Sequence, residues 1–158
     1  MVPHRIGKLG AVRRHSDVLF VAMVSAAVVL LELRTPVNVY DEGNILTGAQ
    51  RILAGEIPVA DFWTVYPPGQ FYVVASMLAL FGNDVLAPRL YDSLVRAAIV
   101  VLGFAFAKRL AGIKAAAPVA VVFCLGLAAV DGHYLYPVTP AFLLRLASIA
   151  VWHRSVST

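Results

Sequence analysis

The sequence predicts an all-α membrane protein with about four transmembrane helices and one or two interfacial helices in its first external loop. Three observations carry that prediction. Hydrophobic residues make up 60% of the 158 residues and charged ones only 14%, against about 25% charged in soluble domains. The apolar residues fall in long runs, and the mean hydropathy is +0.80, which belongs to the membrane class. The basic residues gather at the ends of those runs, as they do where a membrane protein fixes its orientation. The net charge of +4 therefore points to membrane lipid rather than to nucleic acid, since no stacking aromatics accompany the cations.

Taken in order, residues 1–16 carry Arg5, Lys8, Arg13 and Arg14 with no acid, and read as a basic cytoplasmic tail. The apolar run 18–31 follows Asp17. Its length also fits a signal-peptide core, but Glu-Leu-Arg-Thr-Pro follows it in place of a small-x-small cleavage site. We expect an uncleaved first span. Residues 35–84 then form an external loop. Within it Ile45, Ala49, Ile52 and Leu53 recur at helical spacing, so 42–54 should be a short amphipathic helix. Asp41 is well placed to cap that helix and Gly55 to stop it.

A second helix should run from near Pro68 to Phe81. Its apolar core, 71–81, is about half the length of a span. Crossing there would also deliver Lys108, Arg109 and Lys114 to the outside, against the positive-inside rule. An interfacial or re-entrant helix is expected instead. The second span is then 86–107, the third 115–130 and the fourth 138–152, with a short external loop at 131–137 and a cytoplasmic tail at 153–158. The single cysteine, Cys124, lies inside an apolar run, where a buried apolar role suits it.

Four of the nine acids, Asp41, Glu42, Glu56 and Asp61, lie within residues 40–69 of the first external loop. Paired carboxylates beside a membrane are costly in solvation unless something uses them. At the outer end of the second span Arg89, Asp92 and Arg96 share one helix face. Asp92 and Arg96 can pair there, which leaves Arg89 as a spare cation. Interfacial snorkelling explains it, and so does a phosphate site, because guanidinium binds phosphate in two-pronged fashion. Arg145 sits midway along the fourth apolar run, where a charge should face protein or a polar cavity.

Tyr40-Asp41-Glu42-Gly43, Gly55-Glu56-Ile57-Pro58, Asp61-Phe62 and Tyr66-Pro67-Pro68-Gly69 follow one another in the loop. Leu80-Phe81-Gly82, Ala87-Pro88-Arg89-Leu90 and Lys108-Arg109-Leu110-Ala111-Gly112 continue the series. As an ordered set, over roughly 17–152, they resemble the N-terminal portion of GT-C membrane glycosyltransferases, in the protein O-mannosyltransferase and aminoarabinose-transferase branch. The resemblance implies inverting transfer of a sugar from a polyprenyl-phosphate carrier to an acceptor hydroxyl on a glycan, lipid or protein. That reaction takes place at the outer face of the plasma or inner membrane. It makes Asp41 the catalytic carboxylate with Glu42 beside it, and Arg89, Asp61, Tyr66 and Arg96 the substrate and lipid-phosphate set. No further cofactor and no metal ligands are expected.

Two departures from the family stand out. Relatives place an acid before the fourth span, where this chain has Thr139-Pro140, and Asp131 or His133 would have to substitute. Relatives also continue through many more spans, so a chain ending at Thr158 is expected to be incomplete by itself. A non-catalytic subunit or degenerate remnant on the same scaffold is the alternative. A small transporter is the third reading, and it lacks the paired intramembrane charges or interrupted repeats that transporters show.

Overall fold

The computed structural model describes residues 5–31, 33, 36–129 and 137–156, and among these it is all helical with no strand. The six helices are α1 (Arg5–Leu31), α2 (Asp41–Leu53), α3 (Pro68–Phe81), α4 (Leu86–Ala111), α5 (Ile113–Ala129) and α6 (Val138–Val156). Asp131 and His133 lie outside the described residues.

α4 is the hub, and α1, α3, α5 and α6 all pack on it. Its C-terminal half buries Val100 and Phe104 against Ala116 and Ala120 of α5, with Val18 and Val21 of α1 packed against the cluster. Gly103 brings α5 close, since a Cβ there would come 2.5 Å from a Phe123 ring carbon. Asp17 of α1 accepts a 2.8 Å hydrogen bond from Lys108 near the end of α4. The Phe123 and Phe142 rings, 6.0 Å apart and edge to face, join α5 to α6.

α2 and α3 form a separate pair with its own core of Ile45, Ala49, Phe71, Val74, Ala75 and Leu78. Gly48 makes that packing possible, because a methyl group at this position would overlap the Phe71 ring. The chain leaves α2 through a Schellman turn. Glu56 N–H donates to the Arg51 carbonyl and Gly55 N–H to that of Ile52, at 3.0 and 2.9 Å, with Gly55 at φ +94°.

Several features of this frame bear on the expected spans. The basic segment read as a tail is helical from Arg5, so α1 has 27 residues. Among the described residues only α4 is long and apolar enough to cross a membrane. The apolar part of α1, α3 and α5 fall short of that length, and α6 carries Arg145, His153 and Arg154 within its 19 residues. Arg145 is exposed. At 1.5 Å per residue the 14 residues of α3 span about 21 Å, short of the ~30 Å hydrocarbon layer.

Candidate functional site

The two acids that open α2 stand in opposite environments. Glu42 is fully buried, and both its oxygens are taken by Arg89 of α4, at 2.7 Å from Nε and 2.8 Å from Nη2. Arg89, itself 3% exposed, also donates from Nη1 to the Leu33 carbonyl at 2.9 Å. The expected spare cation is therefore a three-way tie between the end of α1, the start of α2 and α4. Its fork matches a carboxylate as well as it would match a phosphate, and Glu42, 47 residues earlier, reaches it first.

Asp41 is half-buried and held differently. Its Oδ1 accepts a 2.6 Å hydrogen bond from the Tyr66 hydroxyl. Its Oδ2 accepts none among the described residues. The cap role read from the sequence passes to Asn38. The Asn38 side-chain oxygen takes the N–H groups of Tyr40 and Asp41 at 2.9 and 3.1 Å, and its carbonyl takes that of Gly43. An asparagine can close a turn on the backbone two or three residues ahead, and this frees the Asp41 carboxylate for Tyr66.

Asp61 closes the loop between α2 and α3. Its Oδ2 accepts from Ile57 N–H at 2.7 Å, its own N–H donates to the Ile57 carbonyl, and Val59 N–H donates to Phe62. These bonds hold Val59 at φ +72°, where a β-branched residue is strained. Arg51 stacks 4.4 Å over the Phe62 ring and binds Glu56 at 2.7 Å. Asp61 thus shapes the loop that leads to Tyr66.

The Asp92–Arg96 pair forms as its spacing predicts, at 2.7 Å and buried. Arg96 Nη1 also donates to the Leu127 carbonyl in the last turn of α5 at 2.7 Å. Carbonyls in the last turn of a helix lack partners in its regular ladder, and Arg96 ties α4 to α5 through this one.

Of the six candidate residues, then, the fold brings Asp41 and Tyr66 into one contact and Glu42 and Arg89 into another. Asp61 and Arg96 sit apart in structural roles. Sequence reasoning missed Asn38 and Arg51. Asn38 had a signal, an asparagine after Pro36-Val37, three residues ahead of a helix. Arg51 had Glu56 five residues on, a spacing that no helix rule covers. Among the described residues, no group of three or more His, Cys, Asp and Glu gathers as a metal site needs.

The chain matches no family model, no curated protein and no solved structure. The site is therefore read from its geometry, with the motif resemblance as a source of expectation.

Proposed function

We propose that this chain carries the catalytic carboxylate of a membrane glycosyltransferase that uses a polyprenyl-phosphate-linked sugar. The observation that supports the reading most is the divided state of the Asp41 carboxylate. One oxygen is fixed by Tyr66 and the other accepts no hydrogen bond among the described residues. A general base needs this combination of fixed direction and an available lone pair. The motif order Tyr40-Asp41-Glu42-Gly43 to Tyr66-Pro67-Pro68-Gly69 supplies the reaction class.

In this reading α4 crosses the membrane. Lys108 follows Arg89 by 19 residues, about 28 Å along a helix, close to the ~30 Å hydrocarbon thickness. With the basic end of α4 in the cytoplasm, Asp41 and Tyr66 face the outside. The acceptor hydroxyl gives its proton to Asp41 as its oxygen bonds to the anomeric carbon. The bond from that carbon to the phosphate oxygen breaks, and the polyprenyl phosphate leaves with the electron pair. Attack from the face opposite the leaving group inverts the centre. Arg89 serves this step through Glu42, by fixing the start of α2, and not by touching phosphate.

The test is label transfer from polyprenyl-phosphate mannose or polyprenyl-phosphate aminoarabinose by the full chain in vesicles, before and after Asp41→Asn. We expect transfer to fall by at least the ~10²–10⁴-fold typical of a lost general base, with the protein still folded and inserted. Near-normal transfer with Glu42 intact sinks the assignment. No transfer from either donor by the parent chain leaves the non-catalytic scaffold as the reading.

A further inference from the structure

We propose that the loop between α2 and α3 dips into the outer leaflet of the membrane, with Ile57, Val59, Trp63 and Val65 as the inserted side chains. Strain is the first observation behind it. Val59 sits at φ +72°, a region that L side chains avoid and β-branched ones most of all. Packing recovers none of that strain, since the side chain is 72% exposed. Strained residues cluster where a protein meets something outside itself, and this one shows a bare apolar group to the exterior.

Val59 has company. Ile57, Trp63 and Val65 are also more than half exposed, Trp63 at 81%. Pro58 and Phe62 face each other in an isolated bridge and are both buried, which leaves their neighbours Ile57, Val59 and Trp63 facing outward. The display is rigid, because the Phe62 ring sits edge to face on Phe71 of α3 at 6.2 Å. A fixed cluster of large apolar side chains marks a contact surface.

Hydrogen bonding chooses lipid as the partner. The N–H groups of Ile57, Val59 and Asp61 are all bonded inside the loop, and Pro58 has none to satisfy. Arg51 and Glu56 are bonded to each other. A segment with its donors paired internally can enter a medium that offers no hydrogen bonds. A hydrated partner needs no such preparation. Trp63 suits the boundary itself, with an apolar ring and an N–H for the headgroups. Insertion to about 5–10 Å, the boundary of headgroups and acyl chains, leaves the exposed Asp61 hydrated.

The loop lies in the layer where such a contact is possible. Phe62 seats it on α3, which ends four residues before the next helix, α4, begins. Arg89 ties the start of α2 to the same end of α4. With α4 across the membrane as proposed above, that end is the outer one. Val65 leads directly into Tyr66, whose hydroxyl holds Asp41, so the depth of the loop sets the height of that carboxylate. The inference rests on the membrane placement of α4 and not on sugar transfer, and the test separates the two.

The chain has two tryptophans, Trp63 and Trp152, so Trp152→Phe leaves Trp63 as the sole emitter. The full chain is placed in phosphatidylcholine vesicles whose lipids carry bromine near either the headgroup end or the methyl end of the acyl chains. We expect Trp63 to be quenched by both lipids, more by the shallow bromine, and to be shielded from iodide supplied on both sides. Val59→Asp should lose most of the bromine quenching and open Trp63 to iodide. Val59→Gly relieves the strain, so it keeps the fold, and should still move Trp63 towards water. A purely structural Val59 would leave that depth unchanged, and an unmoved Trp63 in both variants overturns the proposal. Leu94→Trp, in a chain with both natural tryptophans replaced by phenylalanine, reports on an exposed position of α4. Bromine quenching there with Trp63 open to iodide keeps α4 in the membrane and overturns the loop contact. A Trp63 shielded from iodide yet untouched by bromine means that protein covers the loop, which overturns it too. No bromine quenching at either position overturns the membrane placement and this inference together.

Discussion

Replacing Arg89 with methionine should damage the fold severely, and adding Glu42→Leu should recover most of the loss. Both side chains are buried, at 3% and 0% exposure, and the guanidinium meets both carboxylate oxygens at 2.7 and 2.8 Å. Removing one partner strands the other charge away from water, which costs about 3–5 kcal/mol. Replacing both with apolar groups of similar volume is about neutral, apart from the bond to the Leu33 carbonyl, worth about 1 kcal/mol. For a chain of this size, about 3–5 kcal/mol corresponds to a fall of about 6–20 °C in Tm. The double variant should lie about 2–4 °C below the parent. Helical circular dichroism against temperature, in one detergent for all four proteins, measures it. Arg89→Lys should fall in between, since lysine keeps the charge and loses the fork. An Arg89→Met protein within about 2 °C of the parent, or a double variant as low as the sum of the singles, would refute the tie and return Arg89 to the role of a spare cation.

Three further outcomes follow from the same geometry. Gly48→Ala should destabilise the protein by about 1–3 kcal/mol by forcing α2 away from Phe71, and Phe71→Leu in the same chain should restore part of it; thermal unfolding reads both. Val59→Gly should raise Tm, because it relieves a valine at φ +72°, a strain of about 1–3 kcal/mol, while removing a side chain that is already exposed; an unchanged or lowered Tm counts against strain at that turn. In a Cys124→Ala background, a cysteine at Asn83 should react with an impermeant maleimide from outside and one at Lys114 only from the cytoplasm. The opposite pattern reverses the orientation assigned to α4.

Much of the helix layout was legible because its signals are local. The 3.6-residue recurrence of Ile45, Ala49 and Leu53, the stop at Gly55 and the Pro68 start bring α2 and α3 within a residue of their observed bounds. The Asp92–Arg96 pair was legible for the same reason, since four residues on a helix fix the geometry. What escaped was decided at a distance. Nothing near Arg89 in the sequence announces Glu42, because the two meet only when α2 docks on α4. The division of labour between Asp41 and Glu42 was equally hidden. Adjacent residues on a helix point about 100° apart, so one turns into the core and its neighbour out to Tyr66. The helical start of α1 was missed because its first turns carry the charges that mark a tail.

The Glu42–Arg89 tie also imposes an order in time. Glu42 leaves the ribosome 47 residues before the arginine that neutralises it. At about 5–20 residues per second, that gap lasts on the order of 2–9 s, and throughout it the carboxylate must stay hydrated. α2 and α3 can pair during the wait, since their shared core needs nothing from α4. They cannot bury Glu42 against the bundle until the start of α4, with Arg89, arrives. The layer that carries Asp41 therefore docks only once α4 has been made, because the charge it buries is neutralised by Arg89 of that helix.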